Sequence, residues 1–271
     1  QGLIAYYPFN GNANDESGNG RNGTVIGASL TLDRHGNANS AFDFDGTDDW
    51  IDVTAHIMPI SGAAPRTVSV WIKHDTLSVA NNALMFGDSS RNGGAWSFHR
   101  NGSNSYHFWA NNADLAGGPA DTQWHHHLIS YDGTTVKYYI DNVLKASGAK
   151  SLNTVDGKLN IGKHKEISEF FDGKLDDIRI YNRALSAAEV SQLQASEAGP
   201  GAKKWEFSAG NSMDSSPAVG PDGTVYTWSA DGKIYALNPD GSKKWDYYYE
   251  PADPKVSLDH LRDLGFDGAD K

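Results

Sequence analysis

Asp-Gly pairs at 132–133, 156–157 and 172–173 cut the first two-thirds of this chain into short runs that leave no room for long helices. The runs themselves are β-branched and aromatic: Val68-Ser-Val-Trp-Ile72, Leu128-Ile-Ser-Tyr131, Val136-Lys-Tyr-Tyr-Ile140 and Leu159-Asn-Ile161. Asp-Gly between such runs is a hairpin or turn signal. Short strands at this spacing predict an all-β fold, an antiparallel β-sandwich over residues 1–198. One helix is expected, from Ser186 to Gln194, because Ser186 is a natural N-cap and Glu189 three residues on completes a capping box. Glu197-Ala-Gly-Pro-Gly-Ala202 then reads as a linker.

Charge and composition remove several function classes. A formal net charge of −11 argues against a nucleic-acid surface, which needs clustered Lys and Arg. With no Cys there is no disulfide framework and no thiolate metal site. No apolar run reaches the roughly 18–20 residues of a membrane span. A chain that opens at Gln1 directly on a strand has the look of a mature or trimmed product.

Past the linker, Lys203-Lys204-Trp205 returns as Lys243-Lys244-Trp245, a period of 40 residues, with Asp222-Gly223, Asp231-Gly232 and Asp240-Gly241 marking turns between β-rich runs. That is the period of a propeller blade. Residues 199–250 resemble the PQQ-like repeats of quinoprotein-type β-propellers, which implies one blade-like sheet. A lone blade leaves apolar faces uncovered, so it is expected to pack on the sandwich or on another copy of the chain, or to be easily clipped at the linker. Residues 251–271 form a tail with a short helix expected over 256–264.

Two segments bracket the sandwich. Gly2-Leu-Ile-Ala-Tyr-Tyr-Pro-Phe-Asn-Gly runs into an Asn/Asp/Gly-rich loop ending at Gly23, and Gly173-Lys-Leu-Asp-Asp-Ile-Arg-Ile-Tyr-Asn-Arg-Ala-Leu-Ser186 carries two adjacent carboxylates. Together they resemble the laminin-G-like domains of the concanavalin A-like lectin/glucanase superfamily. The resemblance implies a jelly roll whose first and last strands lie side by side. It also implies carbohydrate binding and a secreted or cell-surface setting. Read alone, the loop suits ordinary turn chemistry as well as ligation. The resemblance implies calcium, with Asp15, Gly18, Asn22 and Asp176 supplying hard oxygens. If Ile178 and Ile180 face the core, strict alternation turns Asp176 inward too and leaves Asp177 to pair with Arg179.

The hairpin Ala95–Ala110 offers the other site. Alternation separates Trp96, Phe98 and Arg100 from Ser97 and His99, and separates Tyr106 and Phe108 from His107 and Trp109. His99, His107 and Trp109 on one face would make a sugar platform, with an indole for the C–H face and polar groups for hydroxyls. His125-His126-His127 is not a zinc site, since neighbouring residues of a strand alternate faces. His127 stands where the family carries an aliphatic residue, which places it among the ligand-facing candidates. A groove lined by His99, His107, His127 and Tyr106 would mark an enzyme instead. No catalytic residue is assigned: there is no Glu-x-Asp-x-Glu run, and Glu166 and Glu169 read as a solvated pair. The expected function is therefore non-catalytic carbohydrate binding, the alternatives being a glycoside hydrolase or polysaccharide lyase, or a protein-adhesion or spacer module.

Overall fold

The computed structural model describes residues 2–77, 81–87, 92–102, 104–155, 157–164, 167–197, 207–213, 217–220, 222–239 and 241–248, with backbone alone over 54–57. In chain order the strands are β1 (Leu3–Tyr7), β2 (Thr24–Ile26), β3 (Ser29–Thr31), β4 (Ala41–Asp45), β5 (Trp50–Ile57), β6 (Arg66–His74), β7 (Asn81–Gly87), β8 (Ala95–Arg100), β9 (Ser105–Trp109), β10 (Leu115–Pro119), β11 (His125–Tyr131), β12 (Thr135–Ile140), β13 (Val143–Ala149), β14 (Lys158–Ile161) and β15 (Asp172–Tyr181). Helix α1 (Ala187–Glu197) follows, then β16 (Ala218–Val219), β17 (Val225–Ser229), β18 (Lys233–Leu237) and β19 (Lys243–Tyr248). The chain divides into two compact units, 1–197 and 198–271.

The first unit is an antiparallel sandwich. One sheet runs β13-β12-β11-β6-β15-β4-β3 with β1 added beside β15, and the other runs β10-β9-β8-β7-β14-β5-β2. Alternating residues of both sheets meet in one core: Val68, Val70 and Ile72 of β6 and Ile129 and Tyr131 of β11 from the first, Trp96 and Phe98 of β8 and Phe108 of β9 from the second. Each large apolar side chain so buried contributes roughly 1.5–3 kcal/mol.

β15 is the long central strand, and its partner changes along its length. Asp172–Leu175 pair with β4, while Ile178–Tyr181 pair with β1. The first and last strands therefore do lie side by side, as the family resemblance implied. At the changeover the register against β6 slips between Asp176 and Arg179, and Asp177 takes a left-handed φ of 46°. This is a β-bulge, in which one extra residue re-aims the side chains around it. Close to the same strand's start, Gly173 has φ +141°, and a Cβ there would stand 2.1 Å from the Lys73 carbonyl oxygen. Gly173→Ala is expected to lower stability by about 2 kcal/mol, read as a fall in urea midpoint at unchanged slope; an unaltered midpoint would mean that β6 and β15 are not this close.

Helix α1 begins on the expected capping box: Ser186 Oγ accepts the Glu189 amide at 3.3 Å, and Glu189 Oε2 accepts the Ser186 amide at 2.9 Å. It is longer than the sequence suggested and takes in Glu197, which the linker reading had placed outside. Val190 and Leu185 pack with Leu128 and Tyr139 on the outer side of the first sheet.

The second unit is a four-stranded antiparallel sheet in the order β16-β17-β18-β19. Trp228 pairs across to Ile234 and Ile234 to Tyr247, so these three share a face. Trp205, the first half of the 40-residue repeat, and the helix expected over 256–264 lie outside the described residues.

Candidate functional site

The expected platform is built by cross-strand pairing. Trp109 of β9 stands opposite Ser97 of β8, His107 opposite His99, and His99 opposite Asn82 of β7. Phe98 and Trp96, one residue out of phase, go to the core at 2% and 0% exposure. Trp109, His107 and His99 are half-buried, so the outer face of the second sheet offers them to solvent in part.

A short hairpin supplies the groups that sequence reading missed. Lys163 and Phe170 pair as an isolated bridge, and the His164 amide donates to the Glu169 carbonyl at 2.8 Å. This returns the chain over the outer face. Of the expected solvated pair, Glu166 lies outside the described residues, and Glu169 is held: its Oε2 accepts from Asn82 Nδ2 at 2.8 Å, and its Oε1 lies 3.4 Å from His99 Nε2. The His164 ring sits 5.7 Å from the Trp109 ring. Farther along the hairpin, Lys163 holds its ammonium 4.3 Å above the Trp50 ring, which Phe170 also contacts at 6.2 Å. Asn101 Nδ2 donates to His107 Nε2 at 2.7 Å, which puts any ring proton on Nδ1. Burial, helped by His99, pushes the His107 imidazole below its ordinary value, so it is neutral at pH 7. The result is an indole edged by imidazoles, amides and one carboxylate. Such a surface can stack an apolar ring face and exchange hydrogen bonds with hydroxyls.

Tyr106 and His127 do not belong to this face. They are 4% and 0% exposed, with ring centroids 4.5 Å apart in the core. Alternation turns Tyr106 away from His107. In β11 it turns His127 the same way as Ile129 and Tyr131, where its Nδ1 meets the Tyr138 hydroxyl at 2.8 Å. The groove of His99, His107, His127 and Tyr106 side chains is therefore not formed on the outer surface; His99, Tyr106 and His127 border one small cavity from which His107 is absent. The histidine triplet disperses as expected for a strand: His125 bonds Asp141 at 2.5 Å and Asp121 at 3.0 Å, while His126 faces the opposite side beside the Trp71 ring.

The carboxylates assigned to calcium have other partners. Asp15 Oδ1 accepts the Tyr6 and Ser17 amides at 2.9 Å each, and Oδ2 accepts the Arg21 amide at 3.0 Å. Burial works against the Asp15 charge, but these hydrogen bonds hold its carboxyl below the usual range. Asn22 Oδ1 accepts the Asp15 amide at 3.0 Å, and Gly18 contributes a left-handed φ of 85° to the same loop. The loop is thus organised by its own amides. At Asp176 the neighbouring cation is Arg34, which grips Asp176 through Nη1 and Asp177 through Nη2 at 2.8 Å. The residues present do not fit calcium shared by Asp15 and Asp176. Asp176 is also not turned into the core: the bulge sets it on the outer face opposite Trp71. Burial, with the adjacent Asp177 charge, pushes its carboxyl up to about 8 against the pull of Arg34.

Around that bulge lies a buried polar network closing the sandwich. Glu197, 5% exposed at the end of α1, pairs with Arg179, accepts the Trp71 indole N–H at 2.7 Å and stands 3.4 Å from His126 Nε2. Its backbone carbonyl accepts from Arg34 Nη2 at 2.7 Å. Elsewhere Asp45, Asp48 and Asp49 bring carboxylate oxygens within 4.8 Å of one another, the first two exposed, in a turn where Asp45 accepts the Thr47 amide and Asp49 the Asp45 amide.

Comparisons with known proteins agree with this architecture. Domain 4 of AbnA, an extracellular GH43 arabinanase from Geobacillus stearothermophilus solved with arabinotriose, superposes with a TM-score of 0.53 at 24% identity, covering 70% of this chain and 97% of that one. The botulinum neurotoxin D binding domain in complex with N-acetylneuraminic acid gives 0.55 at 19% identity over 73% of this chain and 51% of the toxin domain, about half its length. A Trypanosoma rangeli sialidase complex gives 0.50 at 13% identity over 70% and 32%. No curated protein matches the chain by sequence. A family profile matches residues 45–191, more than half of the 271 residues, and by that match the chain belongs to the concanavalin A-like lectin/glucanases superfamily.

Proposed function

We propose that the sandwich is a non-catalytic carbohydrate-binding module of a secreted or cell-surface protein, with its glycan seated around Trp109, His107, His99 and Glu169. The observation that carries this reading is the cross-strand placement of Trp109, His107 and His99 on one outer face, with Glu169 hydrogen-bonded onto the same face by the 163–170 hairpin. The bound arabinotriose and N-acetylneuraminic acid of two structural neighbours support a saccharide ligand. The indole would take the C–H face of a sugar ring, and Glu169 and His99 its hydroxyls. Glycoside cleavage by the common route needs two carboxyl groups flanking the bond; Glu169 already serves Asn82 and His99, which favours holding over cutting. In the same proposal the second unit is one blade-like repeat.

Trp109→Ala is expected to weaken binding of a neutral oligosaccharide such as arabinotriose about tenfold, the loss of a 1.4 kcal/mol stacking contact. The fold should remain, because Trp109 is only half-buried. Isothermal titration beside far-UV circular dichroism checks both. An affinity unchanged by the substitution removes the platform, and cleavage of the oligosaccharide by the wild-type chain replaces binding with hydrolysis.

A further inference from the structure

Between the sheets, bordered by β8 and β9, the sandwich contains a cavity of about 10 Å³, room for one water-sized particle. Its walls include His74, Phe98, Arg100, Tyr106, His127 and Tyr138. Arg100 is 1% exposed, His74 2% and His127 0%. The Arg100 guanidinium is anchored through Nη1, which donates to the Leu77 carbonyl at 3.2 Å and to Asn104 Oδ1 at 3.1 Å. Its Nε and Nη2 are buried and have no partner, and neither have His74 Nδ1 and His127 Nε2. Among the described residues no carboxylate pairs with Arg100.

Arginine nitrogens only donate. His127 is held neutral by complete burial and by the neighbouring His74. Its Nδ1 and the Tyr138 hydroxyl are 2.8 Å apart, and a neutral imidazole brings one donor and one acceptor nitrogen. The Tyr106 oxygen, the other polar group of the wall, is turned to Asp121, whose carbonyl and amide both lie 3.3 Å from it. A water molecule placed here could accept from Arg100 but would leave its charge uncompensated. A buried guanidinium without a counter-charge costs several kcal/mol.

From this cavity beside a buried Arg100 that has two unpartnered nitrogens and no carboxylate partner we infer that the sandwich binds one small monatomic anion of chloride size between Arg100 and His127, with His74 closing the site. The anion supplies the counter-charge that the fold omits and accepts the unpaired N–H groups together. Arg100 and His127 are turned to the core, away from Trp109 and His107, while His99 borders both the outer face and this cavity.

The test uses the full chain. Thermal melting is compared in sodium chloride and in sodium gluconate at equal ionic strength, and crystals are soaked in sodium bromide for anomalous diffraction. Melting should be roughly 2–4 °C higher in chloride once chloride exceeds its dissociation constant about tenfold. Arg100→Met should erase the difference between the two salts, and an anomalous bromide peak should appear beside Arg100 and His127. Because that variant can fail to fold, the wild-type measurements stand alone. Identical melting of the wild type in both salts, with no bromide peak in the cavity, overturns the inference. A well-ordered water there with no anomalous signal does the same.

Discussion

Acidification from pH 7 to pH 5 is expected to destabilise the sandwich by about 3 kcal/mol, a fall of roughly 10 °C in melting temperature. The cause is three imidazoles that the fold keeps neutral. Burial, with Arg100 nearby, depresses His74 to about 3; burial, with Arg179, depresses His126 to about 3; burial also drives His127 well below its ordinary value. Above the unfolded value of 6.5 both states are neutral and nothing is lost. Below it the unfolded chain takes up protons that the folded chain refuses, so stability falls as pH drops from 6.5 toward the folded values. At pH 5 each histidine costs about 2 kcal/mol, near 1.36 kcal/mol per pH unit.

Two groups oppose this. Asp176, raised to about 8, contributes stability that grows as pH falls below that value, about 2–3 kcal/mol over the same interval. His125 is raised by its hydrogen bond to Asp141, so its contribution is fully present below 6.5 and lost as pH rises through its folded value. The histidine loss wins because three groups act together. Calorimetry at pH 7 and pH 5 under constant salt reads the balance. A melting temperature that holds or rises at pH 5 would show that these rings reach water.

Glu197→Ala is expected to cost about 3–5 kcal/mol, the range for breaking one partner out of a buried ion pair. The substitution strips Arg179 of its buried counter-ion and the Trp71 indole of its acceptor. Glu197→Gln should recover part of the loss through the Trp71 hydrogen bond while leaving Arg179 only the carboxylate of Asp177, the partner expected from the sequence, at 3.4 Å. Chemical denaturation of the two variants beside the wild type gives the order wild type, Gln, Ala. An Ala variant as stable as the wild type would mean that the network is solvated.

Much of the fold could be read from the sequence because its signals are local. Asp-Gly turns and β-branched runs mark strands wherever tertiary context agrees, and Ser186 with Glu189 marks a helix start within four residues. The platform followed from alternation, since His99 and His107 keep a strict two-residue period with Trp109. The same rule puts His127 inside with Ile129 and Tyr131, against the ligand-facing place that its departure from the family's usual aliphatic residue implies. Asp176 shows where alternation stops working. The bulge adds a residue as β15 changes partner from β4 to β1, and no local pattern announces it. Arg34 reaches Asp176 across 142 positions. Glu169 joins the platform only because the 163–170 hairpin folds back over the sheet.

The Glu197 clamp also sets how the sandwich bears load. A glycan held at Trp109, as proposed, would pull on one sheet, while the chain leaves through α1, which lies on the outer side of the other. Tension between ligand and following chain must cross the whole core and exit at residue 197. There the carboxylate is joined to Arg179 of β15 and Trp71 of β6, and the carbonyl to Arg34. Those bonds would be stretched together rather than one after another. The clamp therefore acts as a mechanical fuse: α1 should stay seated until it breaks, and then peel away before any strand of the sandwich is drawn out.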